Sequence, residues 1–402
     1  MATNYLRTLL ICSIMWGGMA AAGGNALAQE SGLAALKPVI DGEIKYDSNV
    51  YNFSSTQANR LDANSAASQA SGRFTDMESA DDLIVSPRVR LTTKVPGIAG
   101  RDLKLKPSLS YNYYLLNQKK SHAKLGLKAE NSLGGGSRLG VEIGYRPKVF
   151  KKNYLSGTTV GADKATLPAN WIYSTAEYSD VNLDVTYSRP LWKRVKGSRS
   201  ASGIKKIDGE VLVGFGSRSY DGPFGNRDED TIRVGLALDF KLRNRVGLTT
   251  SYLLEFIDTP GGTEVLLRDE AGFGEDFNGD VDTIDQNVHI VKNVDRSRTE
   301  HALAIKATKP LENDWDGYAK YDLRIQDYKS NEKYDITRVD RQDIRHRVRV
   351  GVKRAFDKNL TYGFGLSLAR EKANRDGAIG KGSAESRSYT RVTLSGNISY
   401  RF

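Results

Sequence analysis

The sequence predicts an all-β fold, a transmembrane antiparallel up-and-down β-barrel of about 14 strands within a range of roughly 12–16. Three observations lead to this prediction. Apolar residues recur at every second position along most of the chain, which is the spacing of a strand with one apolar face. The runs are roughly ten residues long, enough for a tilted strand to cross a bilayer. Short turns alternate with long polar connections, as in barrels with short periplasmic turns and long extracellular loops.

Residues 1–28 are predicted to be a secretory signal peptide. One positive charge, Arg7, precedes an apolar stretch, and the sequence Ala-Leu-Ala before Gln29 is a small-x-small cleavage pattern. Residues 29–402 would then form the barrel domain. The single cysteine, Cys12, lies inside the signal, so the exported chain would contain no disulfide. A retained N-terminal anchor helix is the alternative.

The strands are assigned in order from the alternation. In residues 230–243, for example, Ile, Val, Leu and Phe side chains alternate with Arg, Asp and Lys. An even number of strands suits a closed antiparallel barrel with both termini on one side. The predicted strands are residues 37–47, 82–95, 102–115, 122–132, 137–150, 177–190, 206–219, 230–243, 245–257, 298–309, 315–328, 342–355, 359–371 and 388–402.

The connections support this order of strands. They are tight after the second, fourth, eighth and twelfth strands, and long and polar after the first, fifth, ninth, eleventh and thirteenth. Two connections fit less well, because the third-to-fourth is short and residues 191–205 are long for their side, so one hairpin could be miscounted. A secreted soluble β-sandwich is the alternative fold. Strand length, loop alternation and aromatic residues near both strand ends favour the barrel.

The start of the predicted barrel carries a recognisable motif. The segments "VIDGEIKYDSNVYN" and "DDLIVSPRVRLTTKV", within residues 39–95, resemble the family known as type 2 β-barrel porins. The resemblance implies an outer-membrane barrel of Gram-negative bacteria, in a family often linked to exopolysaccharide export. The last strand resembles the signal read by the barrel assembly machinery. Tyr400 and Phe402 fit that signal, whereas Gly396 is one position away from the usual glycine.

Charged residues occupy the positions opposite to the apolar ones, and in a barrel these positions face the interior. Basic residues outnumber acidic ones there by about two to one, a ring arrangement that favours anions in a water-filled pore. Ion-paired ladders in a narrow, nearly plugged lumen are the alternative. The candidate lumen residues are Arg88, Arg90, Lys104, Lys106, Arg146, Lys148, Arg233, Arg324, Arg345, Arg347, Arg349, Lys353 and Arg391.

Two polar loops have distinctive compositions. Residues 258–297 include "GEDFNGDVDTIDQN", in which Asp276, Asn278, Asp280 and Asp282 are spaced like the first ligands of a calcium loop. The glycine and glutamate of an EF-hand are missing, so a solvated acidic loop is the alternative, and no other cofactor is expected. Residues 48–81 are rich in Ser, Ala and Asn, which predicts a flexible lid or a plug folded into the lumen.

The expected function is a porin-like outer-membrane channel for passive passage of hydrophilic, anionic solutes, with exopolysaccharide export as one form of it. A structural or adhesive barrel with ligand-binding loops and no open pore is the alternative. An enzyme is not expected. Of the four histidines, His301 and His346 share the lipid-facing alternation, which suits packing at the membrane interface, and neither has a recognisable nucleophile motif beside it. The expected partners are outer-membrane lipid, lipopolysaccharide, the assembly machinery, and anionic polysaccharide or small anions. No nucleic-acid motif is present, and a net charge of +10 (11 minus 1 for Arg7) suits lipid phosphates.

Overall fold

The structure is a computed structural model. It describes residues 37–62, 74–155, 173–193, 203–267, 282–285, 288–330, 338–375 and 388–402, and between residues 263 and 294 it describes the backbone alone. The predicted signal peptide lies outside the described residues. Among the residues that the structure describes, no helix has the length and hydropathy that a membrane crossing requires.

Strands dominate the chain. In sequence order they are β1 (Val39–Asp47), β2 (Asp82–Arg90), β3 (Thr93–Pro96), β4 (Asp102–Tyr114), β5 (His122–Gly134), β6 (Ser137–Leu155), β7 (Tyr173–Lys193), β8 (Ile204–Tyr220), β9 (Glu229–Leu242), β10 (Gly247–Asp258), β11 (Gly262–Leu267), β12 (Asp282–Asp285), β13 (Val288–Val294), β14 (Arg298–Pro310), β15 (Trp315–Tyr328), β16 (Arg341–Ala355), β17 (Leu360–Arg375) and β18 (Tyr389–Arg401). One helix, α1 (Ser55–Asp62), and 3₁₀ turns at Ile98–Gly100, Gln118–Lys120, Gly222–Arg227 and Arg243–Arg245 complete the described elements.

The main sheet is antiparallel and closed. Each strand pairs with its neighbour along the chain, β10 pairs with β14, and β1 pairs with both β2 and β18. β2 and β3 both pair with β4, so they are two parts of one interrupted strand. The barrel therefore has 14 strands, which confirms the predicted fold class and strand count. The strands β11–β13 form a separate three-stranded sheet.

The two ends of the barrel differ. At the end that holds both β1 and β18 termini, five connections are two to five residues long. The tightest joins β5 to β6, where Gly134, Gly135 and Gly136 all have positive φ angles. Positive φ angles favour glycine, because a glycine residue has no Cβ. We call this the short-turn end and the opposite one the long-loop end. The connection from β7 to β8 is longer, and residues 115–121 make a short connection at the other end, as the sequence indicated.

The exterior of the barrel is apolar. At alternate strand positions large apolar side chains are exposed, up to 57% for Leu236 and Phe364. A continuous apolar belt of this kind on a closed barrel is a lipid-facing surface. Exposed aromatic rings flank it at the two ends: Tyr46, Tyr111, Tyr145, Tyr252 and Phe256 toward the long-loop end, and Tyr187, Trp192, Phe356, Tyr400 and Phe402 toward the short-turn end.

The aromatic ring of one inward-facing tyrosine packs over two glycines of the barrel wall. Tyr318 of β15 lies across Gly351 of β16 and reaches Gly365 of β17. A Cβ at Gly351 would lie 2.5 Å from Tyr318 Cε1, and one at Gly365 would lie 3.2 Å from its hydroxyl oxygen. The aromatic ring thus packs along the wall where the glycines leave room for it, as aromatic residues do beside glycines in other sheets.

The chain end is part of the closure, and removal of Phe402 should strongly impair assembly. Its backbone N–H donates to the carbonyl of Pro38 at 3.2 Å, and its ring lies edge-on to Tyr400 with centroids 4.8 Å apart. We expect the variant that lacks Phe402 to lose most of its membrane-assembled fraction in cells, measured by heat-modifiable gel mobility. Its unaided refolding into detergent should change little, because the backbone pairing of β18 remains. A variant that lacks Gly380 is the control, and equal assembly of the two would contradict a recognition role.

Candidate functional site

Three arginines occupy successive inward positions of β16. Arg345, Arg347 and Arg349 alternate with outward-facing residues such as Val348, because neighbouring side chains of a strand point to opposite faces. Arg349 Nη2 lies 2.8 Å from Asp322 Oδ2 on β15, while the other oxygen of Asp322 lies 2.8 Å from Lys320 Nζ on the same strand. The wall therefore concentrates positive charge along one strand.

Two of these arginines have no ion-pair partner in the part of the chain that the structure describes. No carboxylate oxygen of a described residue lies within 4.0 Å of Arg345 or Arg347. Arg345 stands opposite Arg324 of β15 and Glu371 of β17. Arg347 stands opposite Asp322 of β15. These guanidinium groups are held close to one another by the strand register, which leaves a local excess of positive charge on the wall.

Most of the other candidate lumen residues are paired. The pairs are Arg90 with Asp41, Lys106 with Glu130, Arg146 with Asp180, Lys148 with Glu177, Arg233 with Asp184, Arg324 with Glu300, Lys353 with Asp316 and Arg391 with Asp47. Arg88 and Lys104 have no carboxylate within 4.0 Å among the described residues. The same wall therefore carries both ion-paired ladders and cations that have no described carboxylate within 4.0 Å.

The position of Lys148 depends on a feature that the alternation could not show. β6 bulges between Arg146 and Val149, so two residues there stand opposite one residue of β7. A bulge changes the side to which the following side chains point. Lys148 has a side chain that is 67% exposed, and its Nζ lies 2.8 Å from Glu177. The assignment of Lys148 to the interior depends on regular alternation, and the bulge interrupts that alternation at this position.

The ion pairs of the barrel run along its wall. Each pair between described strand residues joins one strand to itself, to an adjacent strand or to the next strand but one. The ion pairs that span one intervening strand connect β7 with β9, β9 with β14, and β10 with β15. These contacts leave the charged side chains arranged around a lumen and do not join opposite walls.

The first loop (residues 48–81) packs against the wall at the long-loop end. Its aromatic residues Tyr51 and Phe53 stack with centroids 5.1 Å apart, and Tyr51 meets Phe150 of β6 edge-on at 6.3 Å. Burial of each such side chain contributes about 1.5–3 kcal/mol to holding the loop in place. The buried cluster consists of Val50, Tyr51, Phe53, Leu61 and Met77 of the loop with Ile84 and Phe150 of the wall. The described part of the loop is thus packed against the barrel wall at the mouth.

A buried asparagine holds this loop to the next connection. Asn117 is fully buried, and its side-chain oxygen accepts hydrogen bonds from the Tyr51 hydroxyl and the Glu78 N–H, both at 3.0 Å. Its amide nitrogen donates to Asp82 Oδ2 at 2.9 Å and to the Ser79 carbonyl at 3.1 Å. One side chain thus satisfies polar groups of the first loop and of the start of β2. Sequence reasoning missed this residue.

A second anchor lies where the barrel closes. Asp47, at the end of β1, is fully buried and forms a two-point ion pair with Arg391 of β18, in which Arg391 Nε donates to Asp47 Oδ1 at 2.8 Å. Asp47 Oδ1 also accepts the N–H of Asn49 at 3.2 Å, and Arg391 Nη1 donates to Asn52 Oδ1 at 3.2 Å. The candidate lumen residue Arg391 therefore connects the barrel seam to the first loop.

Replacement of Asn117 by alanine should loosen the first loop without unfolding the barrel. The change leaves several buried polar groups without partners, each at a cost of about 1–3 kcal/mol. We expect faster protease cleavage within residues 48–81 and faster amide exchange there, measured by mass spectrometry. Asn131→Ala is the matched control, because Asn131 is also buried but lies at the short-turn end. Unchanged protection of the first loop in Asn117→Ala would contradict the anchoring role.

Two neighbouring lysines of the β4–β5 connection point at the aromatic rings. Lys119 Nζ lies 5.2 Å from the centre of the Phe150 ring and pairs with Asp76, while Lys120 Nζ lies 4.5 Å from the centre of the Tyr51 ring. Burial and, to a smaller extent, the positive charges of Lys151 and Arg391 together lower the pKa of Lys120 to about 7. Lys120 thus changes its charge near neutral pH.

More cations stack on aromatic rings at the same end of the barrel. The guanidinium carbon of Arg227 lies 3.6 Å from the centre of the Tyr154 ring, and that of Arg218 lies 4.6 Å from the centre of the Tyr178 ring. A cation on an aromatic face is attracted by the ring quadrupole. The long-loop mouth therefore combines several cations with aromatic surfaces.

Two of the four histidines are hydrogen-bonded to tyrosines on the lipid-facing side of the barrel. Tyr252 is hydrogen-bonded to His301 Nδ1, and Tyr321 to His346 Nδ1, both at 2.7 Å. The outward positions agree with the interface packing that the alternation predicted for them. His289 lies where the backbone alone is described.

The predicted calcium ligands belong to the connection from β10 to β14. Asp276, Asn278 and Asp280 lie outside the described residues, and Asp282 is described in its backbone alone, at the start of β12. Within the described part of the chain, no group of three or more His, Cys, Asp or Glu side chains is positioned to hold a metal ion.

The fold and the lined interior define a class, the transmembrane β-barrel with a charged lumen. No family model matches the sequence, and no curated protein sequence matches it. Solved structures with a similar strand arrangement include an anion-selective porin from Comamonas acidovorans, with 10% identity over 92% of this chain and 99% of that chain, at a TM-score of 0.33.

Two further structures are similar at the same level. The outer membrane channel DcaP of Acinetobacter baumannii has 10% identity over 92% of this chain and 96% of its own, with a TM-score of 0.39. A bacterial polysaccharide outer membrane secretin has 9% identity over 90% and 98%, with a TM-score of 0.35. These similarities are too low to transfer a property of those proteins to this chain.

Proposed function

We propose that this chain is a passive channel in the outer membrane of a Gram-negative bacterium. The observation that carries the proposal is the arrangement of charge in the barrel: the exterior is an apolar belt, and the ion pairs between described interior residues run along the wall without joining opposite sides. Charged groups of this kind are stable where water fills the space beside them. A barrel of 14 strands is wider than the eight-stranded barrels whose interiors are filled by side chains.

The preferred solutes of the proposed channel are hydrophilic anions. Arg88, Lys104, Arg345 and Arg347 add positive charge that no described carboxylate within 4.0 Å balances. Basic rings lower the energy of an anion in a pore and raise that of a cation. A long anionic chain, such as an exported exopolysaccharide, is one member of this solute class. The proposal includes outer-membrane lipid, lipopolysaccharide and the assembly machinery as partners, and export through a cleaved signal peptide.

A second candidate is a structural or adhesive barrel without an open pore. Two observations favour it: the first loop packs into the long-loop mouth, and β11–β13 form a small sheet in the connection from β10 to β14. Long loops ordered in this way can present a binding surface while the lumen is closed.

Planar-bilayer recordings of the refolded protein distinguish the two. The channel proposal predicts stepwise single-channel currents in potassium chloride and a reversal potential on the anion side in a salt gradient. An absence of current from protein that is folded by heat-modifiable mobility would favour the second candidate. Cation preference would contradict the assignment of the basic residues to the ion path.

A further inference from the structure

The strand register gives one lysine at the long-loop mouth an unusual position. Between Phe150 and Lys152, β6 carries one residue more than β7, and this extra residue is Lys151. Bulges of this kind redirect side chains and often lie at functional sites. The Lys151 side chain is exposed, yet its charge interacts with Tyr178 and Arg218, both on the barrel interior. The bulge therefore turns Lys151 toward the lumen.

Lys120 faces the same space from another connection. It is held over the Tyr51 ring by the turn that Asn117 organises, since the Lys120 N–H donates to the Asn117 carbonyl at 2.8 Å. Among the described residues, no carboxylate lies within 4.0 Å of Lys120 or Lys151. By contrast, the adjacent Lys119 has Asp76 as its partner.

The charged and titratable groups around Lys120 come from several elements. Its own turn supplies Lys119, and the others are Tyr51 of the first loop, Asp47 of β1, Arg391 of β18, and Lys151 and Lys152 of β6. Asp47 is already engaged by Arg391, so it offers Lys120 little compensation. Positive charge from two sides of the mouth thus meets where no described carboxylate lies within 4.0 Å of either lysine.

We propose that Lys120 and Lys151 bind a multiply charged oxyanion of the sulfate and phosphate class at the long-loop mouth. Ammonium groups bind such oxyanions as point charges with several donors. The inference deepens the proposed function, because it assigns the first binding step of an anionic solute, and it rests on that function for the role of the site in transport. The chemistry is shared by a dissolved solute and by the phosphate of a lipid headgroup.

The binding should depend on pH, because the anion favours the charged form of Lys120. The pKa of Lys120 is about 7 in the unliganded protein, so at pH 8 most of this side chain is neutral. A bound dianion raises that pKa, and binding then takes up a proton. If the pKa returns to about 9 or above, binding is roughly ten-fold tighter at pH 6 than at pH 8. Sulfate is the suitable probe because it does not itself titrate between these values.

Isothermal titration calorimetry of the full chain, refolded in detergent, tests the site with sodium sulfate at constant ionic strength. We expect saturable binding with the ten-fold pH dependence in the wild type, and at least ten-fold weaker binding in Lys120→Met and in Lys151→Met. Lys120→Arg should bind at pH 6 and lose most of the pH dependence. Lys358→Met, at an exposed turn of the short-turn end, is the matched control and should behave like the wild type.

Two further outcomes make the test decisive. Equal sulfate affinity in the wild type and Lys120→Met, with all variants folded by heat-modifiable mobility, would overturn the site. Calorimetry requires no current, so a barrel that binds sulfate but does not conduct would refute the channel and keep the site. Repetition in nanodiscs with phosphatidic acid, whose phosphate monoester can carry two negative charges, separates the sources: competition would identify a lipid phosphate as the ligand, and its absence a dissolved solute.

Discussion

Replacement of Arg345, Arg347 and Arg349 by glutamine should remove most of the anion preference of the proposed channel. Glutamine keeps the approximate length and polarity of the side chains and deletes three positive charges from one interior strand. Asp322 keeps Lys320 as its partner, and Glu371, which stands opposite Arg345, keeps the hydrogen bond from the Tyr389 hydroxyl. The reversal potential in a tenfold potassium chloride gradient should move toward zero, while the single-channel conductance changes less.

The control for this variant deletes the same charge elsewhere. Arg243, Arg245 and Lys358 lie in turns of the short-turn end, where bulk salt screens charges over about 10 Å. Their combined replacement by glutamine should leave the reversal potential close to that of the wild type. An equal shift in both triple variants would mean that net charge, and not the interior position of the β16 arginines, sets the selectivity.

Replacement of residues 50–80 by a short Gly-Ser linker should raise the single-channel conductance by about two-fold or more, because the loop narrows the water-filled path at the mouth. β1 and β2 are adjacent antiparallel strands with Asp47 opposite Asp82, so a short linker can close this hairpin. The buried cluster around Tyr51 and Phe53 would be lost, and the wall residues Ile84 and Phe150 would face water.

The same linker in place of residues 156–172 provides the control, since it shortens another long-loop connection and keeps the first loop. Folding of both variants is checked by heat-modifiable mobility. A conductance that stays at the wild-type value in the first variant would show that the first loop lies beside the ion path and does not narrow it.

The barrel itself could be predicted from the sequence because its determinants are local. The alternation of apolar and polar residues specifies both the strands and their faces, so residues 315–328 were predicted with the bounds that β15 has. Errors arose where strands continue without a regular apolar face. β7 extends from Tyr173 to Lys193 against a predicted 177–190, and the second predicted strand is interrupted between Arg90 and Thr93.

The candidate site could be predicted only in part, because its decisive contacts are not local. The basic residues of β16 follow from alternation, whereas the bulges of β6 that affect Lys148 and Lys151 leave no periodic signal. Asn117 is one polar residue in a polar connection, and its partners are 35 to 66 residues away in sequence. The sequence signal nearest to this site is the polar motif from Tyr46 to Asn52. Its polar residues form several hydrogen bonds where β1 ends.

Asp47 gives the order of events in assembly a structural basis. Its carboxylate is shared between the last strand, through Arg391, and the first loop, through Asn49. The loop therefore cannot reach its final hydrogen bonding until the two ends of the chain have met. The hydrogen bonds that tie the first loop to β18, from Arg391 to Asn52 and from Asn49 to the Thr390 carbonyl, form only in a closed cylinder. The entrance would therefore be narrowed by this loop only after the seam has been sealed.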